Sequence, residues 1–585
     1  MKKIIYRIST VILLIFLSAG CSDFQEINQR PDAFTSDEVS AKYFLTGTQI
    51  RLYAPDRFPY WRAQLIHADR YAGQVTFGHK GSWWNDGLSY NYNGGYTNAE
   101  YGWISGYNTT LSAYMSFVQE GGDLENERYF AIGLIMKGLY YQMFTDIHGM
   151  IPFKEASDPG IITPVYDTQA DIYSGIIDDL DLAMQIIGDN VNTGDGIELL
   201  GENDLFFAGD LQKWKKLANS LKLRLGLRAL GAPGADFAKG AIAQAMGNEL
   251  LVGADDNALM EKDIEISQWA NAAYGDVWRN FGGLGSKWNL SESMVANLRD
   301  NNDPRLSMIA KPALGYIPVI ENGEEVGRDP IVIAKPADGS GADNFDKYIA
   351  FLLQTLDEAD VTYTAVATSA QVEIMFDYTE QDGVEPVYYV GQPTRVNGLI
   401  QFVLENNFFS EPTDIVTNAK NQGNPIFPEI VFTAAEGNFL KAEAIVKGEG
   451  SGNAETFFQE GIRQAMKLWG VGEGDIENFI ANEDAAKLNG SDEENFEKIS
   501  IQRWLAAYTD GFEAWAIVRD SGYPSNLAVG VSDADIFALG DLNGEYPQRM
   551  RYGSGAYNSN GENTEAANAI QGPDVQGTNL WWAKQ

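Results

Sequence analysis

One cysteine, Cys21, in 585 residues leaves no intramolecular disulfide possible, so packing and not covalent stapling must hold the chain together. At this length a core can be large enough to do so. Histidine is almost as scarce: His67, His79 and His148 are the full set, and none stands at a metal-ligand spacing. H-E-x-x-H, G-x-S-x-G and the Walker glycine loop are all missing. Positive charge is short as well, with 42 Lys and Arg against 81 Asp and Glu and a formal net charge of -39. Such a body cannot neutralise phosphates, which argues against nucleic acid and anionic lipid surfaces as partners. No apolar run approaches the 20 or so residues that a membrane span needs. The run Val11 to Leu17 follows Lys2, Lys3 and Arg7 and ends in small residues, the layout of a secretory signal. Losing it makes the remainder more acidic still. Pro/Ser/Gly-rich linkers between helical blocks are also lacking, so residues 41–585 are expected to form one large helical domain rather than several joined beads.

What the chain does contain is helical periodicity. Residues 22–40 are polar, with a Pro31-Asp32 turn signal, and read as a tether. Tyr43 to Val75 is helical in pattern. Trp103, Tyr107, Leu111 and Tyr114 recur at helical spacing, and Tyr129 to Phe144 is apolar nearly all round, which predicts a helix buried on most faces. It closes in Thr145-Asp146-Ile147-His148-Gly149-Met150-Ile151-Pro152-Phe153-Lys154-Glu155-Ala156. Asp146, His148 and Glu155 there are either a catalytic or metal cluster or, with Gly149 and Pro152 beside them, turn residues holding backbone N–H groups.

Thr168-x-x-Asp171 is a capping-box pattern before Ile172, Ile176, Leu180, Ala183 and Ile187. Asp210 caps a helix whose apolar face is Leu211, Trp214, Ala218, Leu221 and Leu225. Its other face carries Lys213, Lys215, Lys216, Lys222, Arg224 and Arg228, to be read as internal ion pairing or as an anion-binding surface. Toward the C-terminus Thr433-Ala434-Ala435-Glu436 opens a helix ending at Gly448, and Phe458 to Trp469 marks a second ending at Gly470, a pair of the tetratricopeptide kind. Trp504, Tyr508, Phe512 and Trp515 continue as an aromatic helix stripe. Between about 310 and 390 the pattern changes, and the alternation Val372, Ile374, Phe376, Tyr378 predicts a small sheet within an insertion.

Two stretches break the helical pattern with rings and glycines. The first holds Trp83, Trp84, Asn85, Asp86, Tyr90 and Tyr92; the second, between 269 and 288, holds Trp269, Tyr274, Trp278 and Trp288. Loops are where binding groups concentrate. An indole face can stack on the apolar C–H face of a sugar while Asn85 and Asp86 exchange hydrogen bonds with hydroxyls. The alternative is that Trp83 and Trp84 plug the loops onto the helical body.

Several strings resemble known families. Leu17-Ser18-Ala19-Gly20-Cys21 resembles the lipobox of bacterial lipoproteins, which implies a diacylglycerol on Cys21 after cleavage at 1–20, with 21–40 as lipidated start and tether. Asp23-Phe24-Gln25-Glu26-Ile27-Asn28-Gln29-Arg30-Pro31 is similar to the mature start of SusD/RagB-type outer-membrane lipoproteins of Bacteroidetes, in the branch beginning Asn-x-x-Pro. The string at 145–156 resembles that family's T-D-x-x-G-x-x-P-x-x-E-A motif. Asn302-Asp303-Pro304-Arg305-Leu306, Phe439-Leu440-Lys441-Ala442-Glu443-Ala444 and the E-x-W...R-x-x-G-Y-P ending from Glu513 to Pro524 follow in order, with Asp520-Ser521 where a more basic pair is usual.

The resemblance implies a mostly α, SusD-like helical fold with tetratricopeptide-like helix pairs, long loops and a small β insertion. It implies an aromatic platform in N-terminal loops, a role in binding a nutrient, foremost an oligosaccharide and alternatively a peptide, and delivery to a SusC-like TonB-dependent outer-membrane transporter. It places the protein at the outer membrane, held by lipid alone, and implies no catalytic residue, metal or cofactor beyond that lipid; calcium is left open. The competing reading is a secreted glycoside hydrolase using two of the many carboxylates.

Overall fold

The structure, a computed structural model, describes residues 39–583 except 54, 78–89, 91, 190–198, 263–271, 277–287 and 401. It is built of helix pairs, as the periodicity requires. Helix α1 (Lys42–Tyr53) leads into a π-helical segment, Tyr60–Asp69, and the short strand β1 (Val75–Phe77). The helix expected to run from Tyr43 to Val75 is therefore broken. Pro55 cannot continue α1, and Gly73, at φ +70°, turns the chain into the strand.

Helices α2 (Gly94–Val118), α3 (Glu127–His148), α4 (Gln169–Ile187), α5 (Leu211–Ala229) and α6 (Phe237–Met246) then pack each against the next. Asn93, Asn126, Thr168 and Asp210 cap the first four, each side chain accepting an N–H from the first turn. Tyr107, Leu111 and Tyr114 of α2 are buried as their spacing predicts, and α3 is buried on nearly every face. One apolar cluster joins α1 to α6 and extends to Trp582.

Strands β2 (Ala258–Met260) and β3 (Trp288–Leu290) precede α7 (Glu292–Arg299). The expected insertion has its own architecture. A hairpin of β4 (Ile317–Glu321) and β5 (Glu324–Asp329) is followed by β6 (Ile331–Ala334), α8 (Phe345–Glu358), β7 (Tyr363–Ala367) and β8 (Gln371–Phe376), the last strands forming an antiparallel sheet in the order β6-β8-β7. Val372, Ile374 and Phe376 point inward against Tyr348, Leu352 and Leu356 of α8, a core separate from that of the helix pairs.

After β9 (Glu429–Phe432), which pairs with β2, come α9 (Ala434–Val446), α10 (Ala454–Leu468), α11 (Glu473–Asn482), α12 (Asp492–Ala506), α13 (Gly511–Ser521) and α14 (Ser554–Gln571). Helices α9 and α10 are the predicted pair, ended at Gly448 and Gly470 with φ +74° and +78°. Gly437 in α9 is obligatory, because a Cβ there would lie 1.9 Å from the Leu251 carbonyl oxygen. The stripe Trp504, Tyr508, Phe512, Trp515 is buried throughout but spans two helices, since Thr509 at φ +80° breaks the chain between α12 and α13. No helix among the described residues is long and apolar enough to cross a membrane.

Candidate ligand-binding site

Several of the motif residues meet at a buried ionic knot between α3, α5 and α13. Arg228 donates to Asp146 Oδ2 at 2.7 Å and to Glu513. Asp146 also accepts from Tyr173 Oη at 2.5 Å, Trp582 Nε1 at 2.9 Å and Gln142 Nε2 at 2.7 Å. Arg224 grips Glu436 through two 2.6 Å bonds and lies 3.7 Å from Glu513. Glu436 is thus drawn away from the reciprocal capping bond expected of it, and Thr433 alone caps α9.

Arg503 ties Glu443 at 2.6 Å and Glu513 at 3.5 Å. Arg519 caps the end of α3 by donating to the Asp146 carbonyl at 2.7 Å. The cationic face of α5 is consumed in this way, and Lys215, Lys216 and Lys222 pair with Asp189, Asp256 and Asp181. That settles the two readings of the face in favour of internal pairing. Asp146 and His148 lie in the last turn of α3, not on the turn after it as expected, because the helix ends only at Gly149, φ +86°. His148 contacts Glu100 at 3.1 Å, both fully buried, while Glu155 accepts the Val165 N–H at 3.0 Å. Among the described residues no group of His, Cys, Asp and Glu is arranged to hold a metal ion.

Carboxyls with raised pKa are where burial puts them. Burial, with Glu513 adding to it, pushes Asp510 up to about 8, but this half-buried side chain is committed to capping α13, where it accepts the Glu513 N–H. Burial and then Glu358 push Glu292 up to about 6. The cavity it shares with Glu358 and Arg299 has a volume of about 170 Å³, below the range of about 300–1,000 Å³ typical of small-molecule sites.

The aromatic stretches are organised differently. Strands β1 and β3 pair antiparallel, with Val75 opposite Leu290, Thr76 opposite Asn289 and Phe77 opposite Trp288. Phe77 and Trp288 thus lie opposite each other, although the two are far apart in sequence. The ribbon is braced from both sides. Gln74 donates to the Trp504 carbonyl at 2.8 Å, Trp504 Nε1 to the Ala72 carbonyl at 2.8 Å, and Ser291 Oγ to the Gly73 carbonyl. Asn289 Nδ2 reaches Gln392 Oε1 at 2.6 Å, and the Gln392 N–H the Leu290 carbonyl at 2.9 Å.

Of the residues predicted for the site, Cys21, Trp83, Trp84, Asn85, Asp86, Trp269 and Trp278 lie outside the described residues. Tyr90, Tyr274 and Trp288 are packed inside the second apolar cluster. Tyr90 is wedged at φ +58° against Tyr71, 5.1 Å between rings, with the Arg70 and Arg395 guanidinium groups 5.1 and 5.4 Å from its ring. These three rings anchor the ends of the stretches and present no face to a ligand, because ring area that has no water on it has already been spent on the core. Tyr92 is partly exposed, its N–H bonded to Asp541 at 3.0 Å and its ring 4.0 Å from the Arg551 guanidinium.

The structure adds residues that the sequence reading passed over. The Ala272 N–H donates to the Pro55 carbonyl at 3.1 Å, which fastens the second stretch to the segment Arg57 to Arg62. There Phe58 is 41% exposed, flanked by the Arg57 and Arg62 guanidinium groups at 4.5 and 5.1 Å. Trp61 links it to Tyr96 at ring separations of 6.2 and 6.0 Å. The signal was the run Phe58-Pro59-Tyr60-Trp61 between two arginines, hidden by reading the whole segment as one helix.

The family described as "Starch-binding associating with outer membrane" matches residues 61–333 and 373–553, leaving out 334–372 within the expected insertion. Solved structures repeat the fold over nearly its full length. A chitin-binding protein is 22% identical with a TM-score of 0.68, over 93% of this chain and 100% of that one. A SusD-like protein from Bacteroides thetaiotaomicron VPI-5482 is 20% identical with a TM-score of 0.65, over 93% and 99%, and a SusD homologue from Bacteroides uniformis ATCC 8492 is 21% identical at 0.66, over 93% and 99%. No curated protein sequence matches the chain. With its family matched across most of its length and its helix-pair fold shared over nearly all of it, this chain belongs to the SusD-like family of outer-membrane-associated starch-binding proteins.

Proposed function

We propose that this protein is a lipid-anchored lipoprotein that binds an oligosaccharide at the outer membrane and passes it to a TonB-dependent transporter, without hydrolysing it. The observation that carries the reading is the register of the β1–β3 ribbon, in which Phe77, just before one aromatic, glycine-punctuated stretch in sequence, lies opposite Trp288, the last ring of the other. On this reading Trp83, Trp84, Asn85, Asp86, Tyr92, Trp269 and Trp278 build one platform, extended by the ring of Phe58, which is 41% exposed. The family's description and the name of the chitin-binding relative support a glycan over a peptide. The burial of the paired carboxylates supports binding without chemistry.

Calorimetric titration with separate pools of neutral oligosaccharides and of peptides tests the reading. Saccharide binding with no new reducing ends on long incubation is the expected result. Binding confined to peptides overturns the choice of ligand, and product formation overturns the absence of catalysis.

The anchor has its own test. Acyl chains contribute about 0.8 kcal/mol per buried CH₂, so two or three of them hold the protein without help from its acidic surface. A tether also makes contact with a neighbouring pore effectively intramolecular. Cys21→Ala protein should leave the membrane fraction, and the wild type purified in mild detergent should carry a β-barrel partner. Retention of Cys21→Ala protein in membranes lacking that partner would count against the lipid, and recovery of the wild type alone against the transporter.

A further inference from the structure

A second concave site lies away from the β1–β3 ribbon, where the start of α4, the end of α5, the end of α14 and the C-terminal segment converge on a groove of about 940 Å³. Its lining is unlike the rest of the molecule. Charged residues are 21% of the chain, yet no described residue lining the groove is Asp, Glu, Lys or Arg. The described lining is thus neutral on an otherwise acidic protein, which suits an uncharged ligand.

Its wall is the half-buried indole of Trp581, and the fold fixes that ring. The Trp581 N–H donates to Gln169 Oε1 at 2.8 Å, and its Nε1–H to the Pro233 carbonyl at 2.7 Å. Tyr173 meets the ring at 5.6 Å and 73°. Gln169 is itself held by Nε2 bonds to the Thr145 carbonyl and hydroxyl at 3.0 and 3.1 Å. An aromatic face held in this way loses little freedom when a ligand settles on it. Leu230, Pro233 and Ile570 complete an apolar floor and lip, Ile570 being 69% exposed, and the Asn579 amide stands exposed at the rim.

An immobilised indole, an apolar floor and a neutral amide, with no formal charge among the described lining residues, are the chemistry that recognises the alternating C–H faces and hydroxyls of a neutral sugar chain. We propose that this groove is a second, independent binding site for a neutral oligosaccharide. The choice of ligand rests on the saccharide reading of the protein; the place does not.

The test titrates the full chain with hexamers of N-acetylglucosamine and of α-1,4-linked glucose, comparing the wild type with a Trp83→Ala/Trp84→Ala double variant, Trp581→Ala and Ile570→Asp. Ile570→Asp puts a charge on an exposed position, so it keeps the fold even where Trp581→Ala does not. Two sites are expected in the wild type, one of which persists in the double variant and weakens by about tenfold or more in each groove variant. A single site that ignores both groove variants overturns this proposal and leaves the loop platform standing. A single site that responds to the groove variants and ignores the double variant supports the groove and overturns the platform. Binding of neither hexamer, at any concentration reached, overturns the saccharide reading of both.

Discussion

Arg228→Ala lowers the unfolding free energy by about 3–5 kcal/mol at neutral pH, the loss expected when one partner of a buried ion pair is removed. The guanidinium is 1% exposed and bridges Asp146 and Glu513, each 4% exposed. Removing it leaves two carboxylates in the interior that water cannot reach. Asp146 keeps Tyr173, Trp582 and Gln142, and Glu513 keeps Arg503 and Arg224, so the loss stops short of complete unfolding. Its sign with pH follows from Glu513. Burial alone would raise this carboxyl, but Arg224, Arg228 and Arg503 around it hold it below the usual range. A group depressed in the folded state contributes stability above its unfolded pKa and loses it as pH falls through the folded one. The deficit of Arg228→Ala should therefore shrink below about pH 4. Lys347→Ala, which breaks a solvent-exposed bridge to Asp533 and Asp535, serves as the control and leaves the melting midpoint in place. Denaturant melts from pH 3 to 8 measure all of this, and a loss at neutral pH under about 1 kcal/mol would mean that the knot does not hold the helix pairs together.

Trp83→Ala and Trp84→Ala each weaken saccharide binding by about 1–3 kcal/mol while the protein melts as before. The paired substitutions Tyr90→Ala and Trp288→Ala do the reverse. Tyr90 and Trp288 are 1% and 0% exposed, and emptying such sites costs about 3–5 kcal/mol of stability. The contrast separates rings that face a ligand from rings that fasten the ends of the same stretches. Calorimetry and thermal melts on the four variants decide it. If Trp83→Ala and Trp84→Ala destabilise like Trp288→Ala and the folded remainder binds normally, the platform lies elsewhere.

Much of the fold was legible because burial leaves a period in the sequence. Helix α4 shows it with Thr168 at its start and Ile172, Ile176, Leu180 and Ala183 on one face, and β8 shows it in its alternation. Periodicity misled wherever it continued across a break. The four rings from Trp504 to Trp515 keep helical spacing through Thr509, and Tyr43 to Val75 keeps it through Pro55 and a π-helical segment, which hid Phe58 and Trp61.

For the site, composition alone marked two ring-rich stretches but assigned their rings alike. Only the structure separated Tyr90, Tyr274 and Trp288, sealed in the core, from Tyr92 at the surface, because whether a ring meets water depends on what other elements place against it. The pairing of Phe77 with Trp288 was equally out of reach, since a three-residue ribbon carries too little pattern to name its partner. Charge shows the same division. The acidic balance, the single cysteine and the want of metal or nucleophile motifs are properties of the chain; the single cysteine leaves no intramolecular disulfide, and the charge balance argues against nucleic acid as a partner. Whether the cations of α5 would meet an anion from outside or carboxylates from within was decided by tertiary structure, because an ion pair stabilises by proximity in a low-dielectric interior, and the residues that became proximate, Asp146, Arg228, Glu436 and Glu513, come from four separate helices.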